Sequence, residues 1–212
     1  MCHRVSPLVI AELRAALREL EATGHARVPR RDPGVVVPDA YPGKQLPLFV
    51  PDASGRLQAV ELTWGFAHPT QGGRLVFNTR LDTALSQARS GRGLWAGAIE
   101  HGRCLVPVRG FYEHWTQASS AQDRRRQVRF SYPGHGVFLL AGVCEGERVS
   151  IVTTEPNASV ATVHNRMPLV LASGESSIWL GPEFAQLADR SGIALAAEPE
   201  ADGGRGQTLP LL

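Results

Sequence analysis

Lysine is almost absent from this sequence: Lys44 is the only one, and arginine supplies nearly all of the 22 basic residues. Because 20 acidic residues oppose them, the net charge is only +2 and the molecule as a whole is not a polycation. Any affinity for nucleic acid must therefore come from a local group of arginines, whose planar guanidinium groups suit phosphate contacts and base stacking. High arginine content also accompanies GC-rich coding, so the bias alone does not decide the function.

Long apolar runs are also missing. No stretch approaches the roughly 20 residues that span a bilayer, and the first residues lack the apolar region of a signal peptide. The three cysteines, Cys2, Cys104 and Cys144, cannot all pair with one another and fit no zinc spacing. We therefore expect a protein of the bacterial cytoplasm with reduced thiols, no cofactor, no bound metal and no membrane partner.

Hydrophobic residues make up 43% of the 212 residues, which is typical of a globular protein with a substantial core. Alternating or β-rich segments predict strands at 57–66, 75–77, 104–115, 128–132, 137–143, 149–154 and 167–171. Helical spacing predicts helices at 7–22, 79–89, 157–163 and 181–191, with Ser6 capping the first of them. We expect an α+β fold: a single domain over residues 1–212, with a twisted antiparallel or barrel-like sheet, a few flanking helices and a flexible tail from about residue 200.

The second residue carries the clearest chemistry. Removal of Met1 leaves Cys2 with a free α-amine beside its thiol. An α-amine has a pKa of about 7.7–8.0, so a useful fraction is neutral near pH 7 and can attack an aldehyde to form a Schiff base. The thiolate can then attack the imine carbon and close a five-membered thiazolidine ring. The alternative is that Cys2 is simply the second residue of a protein with no N-terminal chemistry.

Three further segments bear on that choice. They are Trp-Gly-Phe at 64–66 with Asn-Thr-Arg at 78–80, Gly-Phe-Tyr-Glu-His-Trp at 110–115, and His-Asn-Arg-Met-Pro at 164–168. Together with Met1, Cys2 and Arg4, they resemble the SRAP family of SOS-response-associated peptidases, or abasic-site processing proteins, in the same order over nearly the whole chain. The resemblance implies an enzyme that binds single-stranded DNA. It also implies that this enzyme crosslinks its N-terminal cysteine to the aldehyde of an abasic site and so protects that site during the DNA damage response.

The resemblance implies catalytic roles for three residues beside Cys2. Glu113 matches the family's buried acid, and a carboxyl flanked by aromatic side chains has a raised pKa and can shuttle protons. His164 matches a histidine that relays protons, and Asn78 matches an asparagine that orients the reactive groups. The alternatives stay open at this point: a salt-bridged surface Glu113, a structural His164, and Asn78 as a turn residue that closes a strand.

The same resemblance implies a DNA-binding surface. Arg4, Arg80 and Arg166 lie in the matching segments and are the predicted phosphate contacts. Trp64 either stacks on a base or packs in the core. Pro38 falls where the family has a loop that presses against the unstacked end of a duplex.

The chain departs from the family pattern close to the nucleophile. His3 stands where glycine is usual, Leu81 and Asp82 replace a serine and a glutamate, and Asn165 replaces an aspartate. These changes alter the bulk, the hydrogen bonding and the charge around the reactive groups.

Three other functions compete with abasic-site capture by a monomer. The first is a cysteine-type peptidase, acting on its own N-terminus, with Cys2 as nucleophile and His164 as base. The second is a noncovalent single-stranded DNA-binding module, whose complexes would be salt-sensitive and would not survive denaturation. The third, which requires Met1 to be retained, is copper or nickel binding by the terminal amine and His3.

Overall fold

The computed structural model describes residues 2–23, 36–115 and 127–200. Its strands are β1 (Arg4–Pro7), β2 (Gln45–Pro51), β3 (Leu57–Trp64), β4 (Phe66–Ala67), β5 (Leu75–Val76), β6 (Asn78–Arg80), β7 (Arg103–His114), β8 (Gln127–Ser131), β9 (Phe138–Glu145), β10 (Arg148–Thr154), β11 (Met167–Pro168), β12 (Val170–Leu171) and β13 (Ala196–Pro199). Its helices are α1 (Ile10–Thr23), α2 (Leu81–Ser90), α3 (Ala96–His101), α4 (Ala158–Ala161) and α5 (Glu175–Leu180), followed by a 3₁₀ helix at Phe184–Ala188.

Five strands close into a barrel in the order β9, β10, β3, β2, β7, with β7 pairing again with β9. The β2–β3 hairpin and the β7–β9 pair are antiparallel, as are most of the pairings. The predicted α+β fold with a barrel-like core is therefore confirmed. One feature differs from the prediction: β10 runs parallel to both β3 and β6. Long connections that include helices separate β10 from these partners, and such crossovers permit a parallel pairing that a tight turn does not.

Side chains alternate between two apolar clusters, as the two-residue period of a strand requires. Cys104, Val106 and Val108 of β7 join a cluster that draws on all five barrel strands and fills the barrel interior. Leu105, between them, joins a second cluster with residues of α1, α2, α3 and α5, which cover the outside of the barrel. Because each fully buried large apolar side chain contributes about 1.5–3 kcal/mol, both clusters matter for stability.

The first helix begins later than predicted, at Ile10, because the residues before it pair as β1 with β7. Ser6, predicted as the helix cap, instead donates a hydrogen bond from its hydroxyl to Asp39 at 2.6 Å. The cap comes from Glu12, whose carboxylate accepts a hydrogen bond from the Val9 N–H at 2.9 Å. Tertiary pairing has therefore overridden a local helix signal.

The helix predicted over 181–191 is present only as the short 3₁₀ helix at Phe184–Ala188. Gly181 ends α5 instead of beginning a helix, and its N–H bonds to the Ile178 carbonyl. α5 is held in place by Trp179, which is fully buried and donates from Nε1 to the Cys104 carbonyl at 2.9 Å. α3 and β13 were not predicted at all, and the expected tail beyond residue 200 lies outside the described residues. Among the helices of the described ranges, none has the length and apolar character needed to cross a membrane.

Candidate active site

Four elements meet at one end of the barrel and carry the residues predicted as catalytic. β1 pairs antiparallel with the C-terminal part of β7, which sets Cys2, just before β1, beside Glu113 near the end of β7. β6 and β11 pair with β10, bringing in Asn78 at the start of β6 and His164 on the segment that leads into β11. Residues far apart in sequence thus converge on one pocket.

Cys2 is fully buried, and its thiol points towards the Arg4 carbonyl oxygen at 3.6 Å. Burial raises the pKa of this thiol, and the charge of the nearby Glu113 raises it further, so the sulfur is protonated at neutral pH. Asn78 holds the residue in place by donating from Nδ2 to the Cys2 carbonyl oxygen at 2.7 Å. The Asn78 Oδ1 atom is buried and has no hydrogen-bond partner among the described residues, so it can accept from a further donor.

Glu113 is only 1% exposed. This burial raises the pKa of its carboxyl from 4.5 to about 7, because the charged form loses its hydration. At neutral pH the group is therefore divided between its protonated and ionised forms. Such a carboxyl can both give and take a proton, which is what general acid–base catalysis requires.

His164 faces Glu113, with 3.9 Å between its Nε2 and the Glu113 Oε2. This distance is longer than a hydrogen bond, and a small shift of either side chain would bring the two atoms within hydrogen-bond distance. The other ring nitrogen, Nδ1, lies 2.9 Å from the Arg166 carbonyl oxygen and 3.0 Å from the Arg166 nitrogen. Either neutral tautomer is thus supported, with Nε2 as donor or as acceptor. Burial lowers the His164 pKa, so the ring is neutral near pH 7.

Alternating charges line the rim next to this pocket. Arg166 is 7% exposed, donates to the Thr153 carbonyl oxygen at 2.9 Å and forms an ion pair with the Glu155 carboxylate. Arg80 lies further out and is about half exposed, with its guanidinium 2.6 Å from the Asp82 carboxylate. Hydrogen bonds from Arg80 hold the Asp82 pKa at about 2, so the carboxylate is ionised at neutral pH. Each of these two arginines thus forms an ion pair with an acidic residue.

The sequence profile of the SOS response associated peptidase family, SRAP, matches residues 1–202. The chain belongs to the SRAP family. Two relatives from Bacillus subtilis, the abasic site processing proteins YoaM and YoqW, are 28% and 27% identical to it over 136 residues. The matches cover 58% of this chain and 56% and 57% of those proteins, so the chain spans somewhat more than half the length of the curated relatives it matches.

Solved structures of other bacterial proteins share the fold. A Bacteroides thetaiotaomicron protein has a TM-score of 0.62 at 18% identity, covering 92% of this chain and 91% of its own. A phage-related protein from Bordetella bronchiseptica has a TM-score of 0.65 at 20% identity, covering 94% of each chain. At these identities the similarity shows the architecture and does not assign an activity.

Trp64 lies inside the SRAP barrel and not at a DNA surface. Its side chain is fully buried, donates from Nε1 to the Phe77 carbonyl oxygen at 2.8 Å and packs edge-on against the Phe77 ring at 6.1 Å. The alternative in which Trp64 packs in the core therefore holds, and the stacking of a base on this residue was a wrong prediction, because no face of the indole is exposed. Pro38, by contrast, is exposed.

Arg4 is tied to protein groups on every side. Its guanidinium lies 2.6 Å from Asp39 and 2.8 Å from Glu200 in two ion pairs, and it sits 3.9 Å above the Tyr112 ring. Two carboxylates on one guanidinium give a local net charge that does not attract phosphate. The geometry therefore favours a role in which Arg4 locks β1 onto β7, in place of the predicted phosphate contact.

Sequence reasoning missed the surroundings of His3. The His3 and His114 rings stack with centroids 4.6 Å apart, and their Nε2 atoms are 3.1 Å apart. Gln127 Nε2 lies 3.1 Å and 3.2 Å from these two nitrogens, and Arg4 orients the same amide by donating to its Oε1 at 2.8 Å. This cluster fixes the chain directly after Cys2. His3 stood out as a departure from the family, but nothing in the sequence indicated its partners.

Proposed function

We propose that the processed chain, with Cys2 at its N-terminus, binds single-stranded DNA and captures abasic sites as a covalent thiazolidine. The observation that carries the proposal is the burial of Cys2 beside Glu113, a carboxyl with a pKa of about 7. The names of the relatives, abasic site processing proteins, support the substrate. Because the chemistry needs a reduced thiol, we place the protein in a reducing compartment such as the bacterial cytoplasm.

In the first step the α-amine of Cys2 attacks the sugar. Protonated Glu113 donates to the ring oxygen of the closed sugar, the bond between the anomeric carbon and that oxygen breaks, and the anomeric hydroxyl loses its proton to water, which leaves the open aldehyde. The neutral amine adds to the aldehyde carbon, and loss of one water gives the imine. His164, neutral at this pH, accepts a proton from Glu113 across the 3.9 Å gap and then returns it.

In the second step the sulfur closes the ring. The Cys2 thiol is held protonated by burial, so it loses its proton only as the carbon–sulfur bond forms, and the ionised form of Glu113 is the nearby acceptor. The imine nitrogen gains a proton, which leaves the neutral thiazolidine. Asn78 holds the Cys2 carbonyl at 2.7 Å throughout and so limits the rotation of the nucleophile.

For DNA contact, the exposed Arg80 is the strongest of the predicted arginines. Its side chain is 53% exposed on the rim of the pocket, and a phosphate there competes with its ion pair to the surface carboxylate of Asp82 and with the weaker influence of Glu155. The buried Arg166 positions His164 and Glu155, and its guanidinium adds a positive charge beneath the exposed rim. We keep Pro38, which is exposed, as a proposed contact with an unstacked base.

A cysteine peptidase is the less supported alternative. Such an enzyme needs a thiolate next to an imidazolium, which requires a lowered thiol pKa and a raised histidine pKa. Here burial moves both in the opposite direction: the Cys2 pKa is raised and the His164 pKa is lowered. The pocket therefore suits a neutral amine and a protonated thiol better than an ion-pair nucleophile.

The test uses single-stranded DNA with one abasic site and three proteins on a denaturing gel. Wild type should give an adduct that survives denaturation. Cys2→Ala and Cys2→Ser both keep the α-amine but cannot form the sulfur ring, so their adducts should appear only after borohydride reduction traps the imine. A full-strength adduct from Cys2→Ser without reduction would refute the thiazolidine. Salt-sensitive binding with no denaturation-resistant species from wild type would favour the noncovalent module.

A further inference from the structure

Two cysteines that the proposed chemistry does not use lie on adjacent strands of the barrel. Cys104 is near the start of β7 and Cys144 is near the end of β9, and the two strands pair antiparallel. Cys104 pairs with Gly142, Gly142 with Ile151, and Ile151 with Asn78, which anchors Cys2. At about 5 Å per strand pairing, about 15 Å of sheet lies between Cys104 and Asn78. The two thiols therefore form a site separate from Cys2.

The strand register sets the two cysteines diagonally on one face. Cys104 stands directly opposite Gly142, and Cys144 is two residues further along β9. Because side chains alternate along a strand, Cys144 points to the same side as Gly142 and therefore as Cys104. Consistent with this, Cys104 belongs to the cluster that fills the barrel interior, and Cys144 packs against that cluster.

Glycines opposite both cysteines leave the space between the sulfurs open. A β-carbon at Gly142 would lie 2.8 Å from the Cys104 sulfur, so no side chain fits there. Next to Cys144, the Gly102 carbonyl oxygen accepts a hydrogen bond from the Cys144 N–H at 2.7 Å. A β-carbon at Gly102 would lie 1.9 Å from the Cys144 carbonyl oxygen, so no side chain fits at this position either. With both opposing positions empty, the side chains of Cys104 and Cys144 are neighbours, and each thiol shifts the pKa of the other.

The two thiols differ in exposure and in reactivity. Cys104 is fully buried, whereas Cys144 is partly exposed. The neighbouring Cys104 thiol lowers the Cys144 pKa, while burial raises the pKa values of Cys104 and Cys2. Since the thiolate is the form that reacts with peroxides, Cys144 should react first of the three.

We propose that Cys104 and Cys144 are a two-electron redox site in which a hydroperoxide oxidises Cys144 and Cys104 then closes a disulfide between β7 and β9. In the first step the Cys144 sulfur takes one oxygen from hydrogen peroxide and becomes a sulfenic acid, with release of water. In the second, the Cys104 sulfur attacks the sulfenic sulfur; the sulfur–sulfur bond forms, and hydroxide leaves with the Cys104 proton as a second water. A dithiol reductant reverses the reaction by thiol–disulfide exchange.

This site directs mild oxidation away from the nucleophile. Cys2 has a fully buried, protonated thiol, so it reacts slowly with peroxide, whereas the Cys144–Cys104 pair consumes the oxidant in a reversible way. The protein would then keep a reduced Cys2 under the conditions in which oxidative DNA damage is produced.

The test is a titration of the purified full chain with hydrogen peroxide, read by intact mass and by protease mapping after denaturation and alkylation. Wild type should lose the mass of two hydrogen atoms and give a linked pair of peptides containing Cys104 and Cys144, while Cys2 remains alkylated. Cys2→Ser should give the same linked pair. Cys144→Ser should lose the linkage, and Cys104→Ala should leave Cys144 with added oxygen.

Several outcomes would overturn the proposal. They are oxygen accumulating on Cys144 of wild type without a linkage, oxidation of Cys2 before Cys144, and disulfide-linked dimers in place of an internal bridge. The measurement involves no DNA, so it stands or fails independently of abasic-site capture.

Discussion

Replacing Glu113 by glutamine should make the folded protein more stable at alkaline pH while leaving its stability near pH 4 almost unchanged. Glutamine has nearly the same shape as glutamate and carries no charge. At a side chain that is only 1% exposed, the substitution removes the cost of burying a carboxylate and changes little else. The effect therefore isolates the environment on which the proposed proton transfers depend.

The size follows from the raised pKa of Glu113, which is about 7 in the folded protein against an ordinary value of 4.5. Between these two pH values the folded state keeps its proton and the unfolded state loses it. The free energy of unfolding of wild type therefore falls as pH rises through this window and levels off above it. At about 1.36 kcal/mol per pKa unit, the accumulated loss is about 3 kcal/mol.

The assay is urea denaturation of wild type and Glu113→Gln at several pH values from about 4 to about 8. The difference in free energy of unfolding should grow in favour of the variant by about 3 kcal/mol over this range. Glu61→Gln, the same change at an exposed position of β3, controls for the loss of one carboxylate. A constant difference between Glu113→Gln and wild type across the range would show that Glu113 has an ordinary pKa, and the general-acid step would then lose its basis.

The remaining predictions concern the pocket, the rim and the core. Asn78→Ala should slow adduct formation on abasic DNA, because the backbone of the nucleophile loses its anchor; an unchanged time course would remove Asn78 from the site. His164→Gln should slow adduct formation by about 10²-fold or more, within the usual range for a proton-transfer group, and a rate equal to wild type would contradict the relay. Arg80→Ala should weaken binding to undamaged single-stranded DNA and lower the salt slope by about 1, whereas Asp82→Asn should strengthen binding; equal affinities for both variants and wild type across salt would exclude the rim contact. Trp64→Ala should cost about 3–5 kcal/mol of stability by urea denaturation, while Trp64→Phe should keep the DNA affinity of wild type; weaker binding by folded Trp64→Phe would place the indole against DNA after all.

Strand positions were predictable because alternation along a strand is a local pattern. The predicted segments at 104–115 and 149–154 match β7 and β10 to within a residue or two. The order in which the strands close the barrel and the parallel placement of β10 were not predictable, because they depend on contacts between segments distant in sequence. The same reason explains β1: Ser6 and Pro7 carry a local helix-start signal, but pairing with β7 overrides it.

The candidate site also has a part that the sequence indicated and a part that it could not. The resemblance indicated Cys2, Asn78, Glu113 and His164, and the structure brings all four together. It could not indicate the partners of Arg4, since a guanidinium that binds phosphate and one that binds Asp39 look identical in a sequence. Nor does sequence spacing distinguish an exposed tryptophan from a buried one when the strand that carries it closes a barrel.

Intact-mass spectrometry of the reaction mixture shows whether an unblocked N-terminal cysteine bonds covalently to an abasic sugar. The free protein should lack the mass of Met1, and a new species should appear with the mass of the processed protein plus the DNA minus one water. Protein that retains Met1, or processed protein that leaves abasic DNA unmodified after full incubation, would contradict covalent capture by Cys2.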